Sequence, residues 1–442
     1  MNCVAINPQW HDEMFLSFPL GLATIVSIAK NNGHNVQVVD FDAERCEDDC
    51  KIDILLKHCS EADVVFLTGM VTNYSRVKKM AAIARQSWPS SVIILGGSLA
   101  TTSPCSILSR IDADIFVIGE GDEKIIWILQ ELEAGGDLKK IPGIKLKEKG
   151  GIYSTVPYSE PPDISKTPRP AYEDFPMNCY NEFLKKTGRC FEIYTSKGCP
   201  FNCSFCFRMS GSKVRYRLVE DVVGEIKFVM KKYSINRFSF EDDNFGMNDK
   251  WIDEFCKLTK DMAIRFRFQA NVNTLNEKIL DKLKNSGLEG VSMGIESGSP
   301  DMLKSLGKTI SLEHADKVIG MLNDRSVKFN ATFIIGAPGE NDESIKMTKE
   351  FLARNKLKNN FQLFFLTPYP CTPLYDMAVK NNLIKDEVRY IEGLGLQDSL
   401  NVNLTGYPDY RLLEWRDEIL KTTDPKSSAL PKSGVTWKTE SI

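Results

Sequence analysis

The first part of the chain alternates short apolar runs with amphipathic stretches. The apolar runs are rich in Val, Ile, Leu and Phe and lie at 3–7, 36–41, 62–69, 91–97 and 113–121. The stretches between them have helical spacing and lie at 20–32, 51–58, 75–87 and 122–134. Apolar strands joined by helices are typical of a parallel sheet that is buried on both faces. The pattern therefore predicts an α/β domain of the doubly wound, flavodoxin-like type over 1–140.

A second alternation, with longer helices, begins near residue 190. Its predicted strands lie at 191–196, 237–242, 266–271, 290–296, 329–336 and 360–368. Its predicted helices lie at 218–233, 249–262, 276–286, 312–324 and 342–355. Six β/α units in a row predict a partial barrel of the TIM type over 186–376, with functional groups on the loops that follow the strands.

Two further segments complete the predicted organisation. Residues 141–185 are rich in proline and predict a linker that lies across a domain surface. Residues 377–442 predict a short C-terminal region with a helix near 409–421 and a polar tail.

Composition narrows the class of protein. The 442 residues are 42% hydrophobic and carry a net charge of −3, which indicates a globular protein with no electrostatic reason to bind nucleic acid or a membrane. The first residues lack the pattern of a signal peptide, and no apolar run approaches the ~20 residues of a spanning helix. The twelve cysteines are mostly scattered, so reduced thiols and a cytoplasmic location are expected.

Three cysteines with the spacing C-x3-C-x2-C follow the first predicted barrel strand: Cys199, Cys203 and Cys206. Three thiolates on one loop can hold three irons of a [4Fe-4S] cluster and leave the fourth iron open. The alternative is a structural zinc site, which usually takes four ligands in paired spacings. A fourth ligand would have to come from Cys179 or Cys190, because no second tight pair and no H-x3-5-H partner is present.

This motif, placed after the first strand of a partial barrel, resembles the hallmark of the radical S-adenosylmethionine (SAM) superfamily. The resemblance implies that the open iron binds SAM and that one electron from the cluster cleaves it to a 5′-deoxyadenosyl radical. It also implies a flavodoxin- or ferredoxin-type electron donor. Later segments resemble the SAM-binding motifs in the expected order: FEDDNF (240–245), SMGIESGSP (292–300), FIIGAPGE (333–340) and LTPYPCTPLY (366–375).

The resemblance assigns the SAM contacts residue by residue. A carboxylate after the second strand would pair with the SAM ammonium, although an acidic helix cap is the alternative reading there. The stretch after the fourth strand would contact ribose and carboxylate, and the fifth-strand turn would lie near the adenine. The third strand lacks the arginine often found in relatives, and either Asn271 or Asn273 would take its place. The predicted contacts are Asp242, Asp243, Asn271, Glu296, Ser297, Gly336 and Pro338.

The sixth-strand element departs from the family pattern at Cys371, where relatives have glycine. One interpretation is that one small residue replaces another. The other is that the thiol is catalytic, as a hydrogen-atom donor, a ligand or a reaction partner.

The first domain resembles the cobalamin-binding domain that precedes many radical SAM barrels, on the segment 19–42 and the turns GGSLATTSP and IGEGDE. The resemblance places the nucleotide tail of cobalamin along the C-terminal edge of the sheet. The expected contacts there are Gly97, Ser98, Thr101, Gly119 and Glu120. The D-x-H-x-x-G motif that supplies an axial histidine in other B12 enzymes is absent, and a degenerate domain kept as a scaffold is the alternative.

The leading hypothesis for function is cobalamin-dependent methylation of an unactivated carbon of a small molecule. The alternative is a non-methylating radical SAM dehydratase, epimerase, ring-forming or rearranging enzyme of natural-product or sugar metabolism, which the short C-terminal region favours. A non-catalytic iron–sulfur carrier is a third reading. It does not explain why four separate strand ends match the SAM-binding pattern in order.

Overall fold

The computed structural model describes residues 1–10, 16–44, 51–158, 160–395 and 399–423. The chain forms two compact units: the first is Met1–Arg189 together with Val388–Leu394, and the second runs over Cys190–Glu387 and continues from Gly395. The boundary falls just ahead of the strand predicted to open the barrel. Within the described ranges, every helix is too short or too polar to cross a bilayer.

The first unit holds a seven-stranded sheet with helices between its strands. The strands are β1 (Asn2–Asn7), β2 (Asn35–Asp40), β3 (Val64–Thr68), β4 (Val92–Gly96), β5 (Ile115–Val117), β6 (Ile144–Glu148) and β7 (Gly151–Ser154). The helices are α1 (Leu20–Asn31), α2 (Phe41–Glu44), α3 (Lys51–His58), α4 (Tyr74–Ser87), α5 (Gly97–Thr102), α6 (Cys105–Leu108), α7 (Lys124–Ala134) and α8 (Met177–Thr187).

The strand order of this sheet is β2-β1-β3-β4-β5-β6-β7, and the first five strands are parallel. The order 2-1-3-4-5 is that of flavodoxin-like folds. The order in which consecutive strands are added to the sheet reverses between β1 and β3. Val4, Ala5 and Ile6 in β1 are completely buried, as expected for a central strand covered by helices on both faces. The predicted doubly wound sheet is confirmed.

The segment 141–185, predicted as a linker, lies within the first unit and contains regular elements. β6 and β7 extend the sheet as antiparallel edge strands. On α8, the Tyr180 hydroxyl donates to Oδ2 of the buried Asp40 at 2.5 Å, and Asn7 Nδ2 donates to Oδ1 of the same carboxylate at 2.8 Å. The alternating run 144–148 is a strand signal, but the prolines that follow it dominated the prediction.

The second unit holds six parallel strands in sequential order, apart from a short ribbon of β9 and β10. The strands are β8 (Phe191–Ile193), β9 (Ser196–Lys197), β10 (Arg215–Tyr216), β11 (Arg237–Phe240), β12 (Arg265–Ala270), β13 (Leu288–Glu296), β14 (Lys328–Ile335) and β15 (Phe361–Phe365). The helices that follow α8 along the chain are α9 (Val219–Tyr233), α10 (Asp249–Thr259), α11 (Glu277–Asn285), α12 (Pro300–Ser305), α13 (Leu312–Asp324), α14 (Asp342–Arg354), α15 (Pro373–Lys380), α16 (Glu387–Glu392) and α17 (Asp409–Thr423). Of these, α16 belongs to the first unit from Val388 onward.

The large sheet of the second unit has one apolar and one polar face. Alternate residues of β11 and β12 point to opposite sides, so Phe238, Phe240 and Phe266 are buried while Ser239 and Arg267 share the other face. The polar face lines a cavity of about 150 Å³ that is bounded by Ser239, Phe240, Glu241, Arg267, Phe268, Gln269 and Ser292. The predicted partial barrel is confirmed, but its polar cavity differs from the packed interior of a full TIM barrel.

Side-chain caps explain why the helices of this unit begin close to their predicted starts. Asn248, Asn276, Ser311 and Asn341 each accept a hydrogen bond from a backbone N–H in the first turn of the helix that follows. These residue types are favoured at that position because they satisfy N–H groups that have no partner inside the helix.

The C-terminal helix α17 packs on α14. Trp415 is fully buried, and its Nε1 donates to Asp342 Oδ1 at 2.7 Å. The predicted polar tail beyond residue 423 lies outside the described residues.

We expect Tyr180→Phe to lower the free energy of unfolding by about 1–3 kcal/mol, because the buried Asp40 carboxylate loses one of its donors. Urea denaturation followed by circular dichroism measures the change. Tyr153→Phe is the matched control, because Tyr153 is 41% exposed on β7. Equal stability of the two variants would contradict the role of the Tyr180 hydrogen bond.

Candidate active site

The cysteine loop, residues 198–214, is closed at its base by the antiparallel pair β9 and β10. Gly198 begins the loop at a φ of 98°, and a β-carbon there would lie 2.3 Å from the carbonyl oxygen of Lys213. Only glycine fits both the backbone conformation and the close approach. The backbone therefore turns sharply just before Cys199.

Backbone hydrogen bonds hold the loop at several points. The N–H of Cys199 donates to Gly211 O at 3.1 Å, and the N–H of Cys206 donates to Cys203 O at 3.2 Å. The N–H of Ser204 donates to Leu306 O at 2.9 Å, which ties the loop to the end of α12. The three cysteines are thus positioned by the main chain before any ligand binds.

The three thiols influence one another electrostatically. Desolvation of the Cys206 thiol raises its pKa to about 11, although the residue as a whole is exposed, and the neighbouring Cys203 and Cys199 add to the effect. Burial likewise raises the pKa values of Cys199 and Cys203. Metal binding therefore has to release protons from the trio, which makes cluster assembly dependent on pH.

The donor set fits an iron–sulfur cluster. All cysteines in the described part of the chain are free, so the trio is not committed to disulfides. Among the described residues, no three Cys, His, Asp or Glu side chains converge on one ion position. The buried Ser204 Oγ, between two of the cysteines, has no hydrogen-bond partner and is available to a sulfur acceptor. A cluster, whose thiolates each bind a different iron, suits this arrangement.

The two carboxylates after β11 have different roles. Asp242 is completely buried and accepts hydrogen bonds from Thr195 N (2.6 Å), Thr195 Oγ1 (2.5 Å) and Ser196 Oγ (2.7 Å). Asp243 is exposed, and its Oδ2 accepts the N–H of Gly198 at 2.7 Å. Asp242 therefore anchors the chain that leads into the cysteine loop, and Asp243 is the more exposed of the two predicted carboxylates.

Asn271, predicted as a SAM contact, caps a short turn after β12. Its Oδ1 accepts the N–H of Asn273 at 2.9 Å, and its own N–H donates to Asn244 Oδ1 at 2.5 Å. Asn244 is 2% exposed, and its Nδ2 has no hydrogen-bond partner. Its amide is therefore a candidate ligand group at this strand end. Asn244 lies in the FEDDNF motif, beside the two carboxylates that the resemblance singled out.

Glu296 ends β13 in an unusual conformation. Its φ is 69°, and the ladder with β14 is irregular between Gly294 and Glu296. The carboxylate pairs with Lys308 Nζ at 3.0 Å, and both side chains are less than one-tenth exposed. A β-carbon at Gly294 would lie 2.8 Å from Lys308 Nζ, so glycine leaves room for this pair. Sequence reasoning missed Lys308, because no motif marked it.

Ser297 is engaged within the protein. Its hydroxyl lies 3.3 Å from Thr348 Oγ1 and accepts the N–H of Ser299 at 3.1 Å. A β-carbon at Gly298 would lie 2.6 Å from the carbonyl oxygen of Met347. The E-S-G-S stretch is therefore explained in part by close packing between the end of β13 and α14.

The turn after β14 is held by a buried carboxylate. The N–H groups of Gly336 and Ala337 donate to Glu340 Oε2, the second at 3.2 Å, and Gly336 has a φ of 94°. Pro338 O accepts a hydrogen bond from Ser305 Oγ at 3.1 Å. Burial raises the pKa of Glu340 to about 7. Glu340 thus shapes the turn that the family resemblance predicts to lie near the adenine.

Cys371 is exposed and has a φ of 64°. This left-handed conformation is the one that glycine adopts without steric cost, which explains glycine at this position in the family pattern. The next residue, Thr372, caps α15 by accepting the N–H of Tyr375 at 3.2 Å. The backbone therefore accounts for a small residue here without requiring a thiol.

The first unit brings its candidate cobalamin residues together where β4 and β5 end. Gly97 has a φ of 85°, and a β-carbon there would lie 2.5 Å from Gly69 O. Thr101 Oγ1 donates to Gly97 O and accepts the N–H of Gly119, both at 2.9 Å. The hydrogen bonds of the Thr101 hydroxyl therefore join the two loops. The tight turn at Gly97 has no side chain at its closest backbone approach.

The other two candidates differ in exposure. Ser98 is partly exposed on α5, and its carbonyl oxygen accepts from Thr102 Oγ1 at 2.9 Å. Glu120 is buried, and its carbonyl oxygen accepts from the buried Lys124 Nζ at 2.8 Å. Ser98 is thus the more accessible of the two side chains.

A cleft of about 200 Å³ opens at the same edge of this sheet, where β1 and β3 end. Its lining includes Asn7, Trp10, Phe18, Gly69 and Asn73. Ligands of open α/β sheets bind where the strand order reverses, and in this sheet that point lies between β1 and β3. Sequence reasoning placed the cobalamin contacts at β4 and β5 only, because the strand order is not visible in the chain.

Comparison with known families agrees with both units. The model of the Radical SAM superfamily matches residues 193–352, and the model of the B12 binding domain matches residues 15–126. An uncharacterized methyltransferase from Pyrococcus horikoshii is 31% identical over 373 residues, which is 83% of this chain and 79% of that protein. The chain belongs to the radical SAM superfamily and carries a B12 binding domain in its first unit.

Other similar proteins share this organisation. Cytidylyl-2-hydroxyethylphosphonate methyltransferase from Streptomyces wedmorensis is 25% identical over 387 residues, covering 76% of this chain and 72% of that protein. The radical SAM methyltransferase TsrM from Kitasatospora setae, solved with cobalamin and a [4Fe-4S] cluster bound, has a TM-score of 0.74 at 17% identity. That match covers 87% of this chain and 78% of TsrM, and it supports the fold. The predicted family, fold class and enzymatic nature are confirmed.

We expect Glu340→Gln to remove a pH-dependent part of the stability. The pKa of Glu340 is raised from about 4.5 to about 7, so the folded protein favours the protonated carboxyl. The stability that this protonated group contributes is fully present below about pH 4.5 and is lost as the pH rises to about 7. The glutamine variant should therefore gain about 1–3 kcal/mol relative to wild type between pH 5 and pH 8, since one pKa unit corresponds to about 1.4 kcal/mol. Thermal melts at both pH values test this, and a difference that does not vary with pH would contradict it.

Proposed function

We propose that this protein is a cobalamin-dependent radical SAM methyltransferase that methylates an unactivated carbon of a small molecule. The observation that carries the proposal is the cysteine loop at the start of a partial barrel, in a chain whose other unit is a B12 binding domain. When bound, the cluster supplies the electron that cleaves SAM, and cobalamin carries the methyl group.

The residues of the chain have separate tasks in this proposal. Cys199, Cys203 and Cys206 hold the cluster on a loop that Asp242 anchors. Asp243 and the Asn244 amide are the polar groups proposed to orient SAM beside it. Gly336 and Pro338 lie in the turn proposed to receive the adenine, and Glu340 holds that turn.

The polar cavity of the second unit supports a small, polar substrate. Ser239 Oγ donates to Glu241 Oε1 at 2.5 Å, and Arg267 Nε donates to Ser239 Oγ at 3.2 Å. Gln269 and Ser292 complete a wall with hydrogen-bonding groups of both kinds. A volume of about 150 Å³ admits part of a natural-product or sugar-like intermediate.

The names of similar proteins favour methyl transfer over the non-methylating alternative. Both the relative from P. horikoshii and the one from S. wedmorensis are methyltransferases by name, and so is TsrM. In TsrM, tryptophan is the bound substrate, which supports a small-molecule substrate for this chain.

The reaction also requires a one-electron donor of low potential. We propose a flavodoxin- or ferredoxin-type protein in the cytoplasm, where the free thiols of this chain stay reduced.

Anaerobic reconstitution with iron, sulfide and cobalamin, followed by incubation with SAM and titanium(III) citrate, tests the proposal. We expect both 5′-deoxyadenosine, from radical cleavage, and S-adenosylhomocysteine, from methyl transfer. Cys203→Ala should lose the bound iron and the 5′-deoxyadenosine, because two thiolates cannot hold the cluster with an open iron. Cys256→Ala, a matched change on α10 of the same unit, should keep both.

The product pattern separates the two functions. 5′-Deoxyadenosine without S-adenosylhomocysteine would favour the non-methylating alternative. Full cleavage activity in Cys203→Ala, or zinc alone in the anaerobic protein, would overturn the assignment to this chemistry.

We expect Cys371→Gly to keep SAM cleavage and the product ratio while stabilising the fold by up to about 1 kcal/mol. Relief of a left-handed backbone, worth about 1–2 kcal/mol, exceeds the entropy cost of glycine, about 0.5–1 kcal/mol. Thermal melts and chromatography of the SAM-derived products measure both effects. A folded variant with an altered product ratio would show instead that the thiol takes part in the reaction.

A further inference from the structure

We propose that Lys308, held by Glu296, raises the reduction potential of the cluster bound by Cys199, Cys203 and Cys206. The inference rests on the proposed function, because it requires the cluster. It assigns a task to a buried charge pair that the SAM-binding motifs do not explain.

The backbone places Lys308 beside the cysteine loop. Leu306 O accepts the N–H of Ser204 at 2.9 Å. A β-carbon at Gly307 would lie 2.7 Å from Asn202 O and 3.6 Å from the Cα of Cys203. The residue just before Lys308 is therefore in contact with the loop, and glycine is what permits that approach.

The side chain of Lys308 is buried and paired with Glu296. It is 9% exposed, and its Nζ lies 3.0 Å from Glu296 Oε1. The pair is neutral as a whole, but its cationic residue directly follows Gly307, which contacts the loop beside Cys203.

A positive charge next to a cluster stabilises the form that has gained an electron. Solvent screens this effect little, because the charge is buried. Charge and hydrogen bonding around the sulfurs are among the factors that set the potentials of such clusters. Lys308 is therefore a tuning residue for electron entry, and Glu296 fixes the direction of its charge.

The test is the midpoint potential of the reconstituted cluster, measured by redox titration with electron paramagnetic resonance and without SAM. Lys308→Gln should lower the equilibrium constant for reduction at least tenfold, which corresponds to a shift of about 59 mV or more toward negative potential. Lys308→Arg should restore the wild-type value, because it keeps the charge. Glu296→Gln should shift the potential in the opposite direction, because it removes the opposing carboxylate.

Two further variants make the result specific. Lys304→Gln is the matched control: Lys304 is an exposed lysine one turn earlier, on α12, and its loss should leave the potential unchanged. If Lys308→Gln fails to fold with Glu296 buried alone, the double variant Glu296→Gln with Lys308→Gln removes both charges and should again show the lower potential.

The outcomes separate this inference from the proposed function. If wild-type protein assembles no cluster, both are overturned. If the cluster assembles with full iron content and its potential is the same in wild type, Lys308→Gln and the double variant, this inference alone is overturned and the methyltransferase proposal stands.

Discussion

The proposed active site depends on the hydrogen bonds that the carboxylate of Asp242 accepts. It is completely buried, and its three hydrogen bonds come from the residues between the first barrel strand and the cysteine loop. A buried carboxylate is costly unless it is fully bonded, so the second barrel strand and the root of the loop have to stay together. The adjacent Asp243 adds a bond to Gly198, where the chain turns. The two carboxylates thus set where the thiols lie.

The same logic extends to the other strand ends of the second unit. Glu296 and Lys308 form a buried pair beside the thiols, and Glu340 holds the turn after β14. Each of these charged side chains is satisfied within the protein. Pre-organisation of this kind keeps a site in place before its cofactors bind, because the cost of ordering has already been met in folding.

The two faces of the barrel sheet have different roles: one packs in the hydrophobic core and the other lines a polar cavity. The outward face carries aromatic side chains such as Phe240 and Phe266, which stack at a centroid distance of 5.0 Å. The inward face carries Ser239, Arg267 and Gln269 around a polar cavity. Because successive side chains of a strand point to opposite faces, one segment supplies both the apolar face and the polar face. A substrate can therefore be accommodated without opening the hydrophobic core.

The sequence by itself determined the class of fold, the strand and helix positions and the cysteine trio, because these depend on local periodicity, capping and spacing. It also led to the family, through motifs at successive strand ends. Only the tertiary structure decided which residues of those motifs are open to ligands: Asp242 and Ser297 proved to be engaged within the protein. It also revealed Lys308 and placed 141–185 in the first unit. Such assignments depend on contacts between residues distant in the chain, for which a single sequence contains no signal.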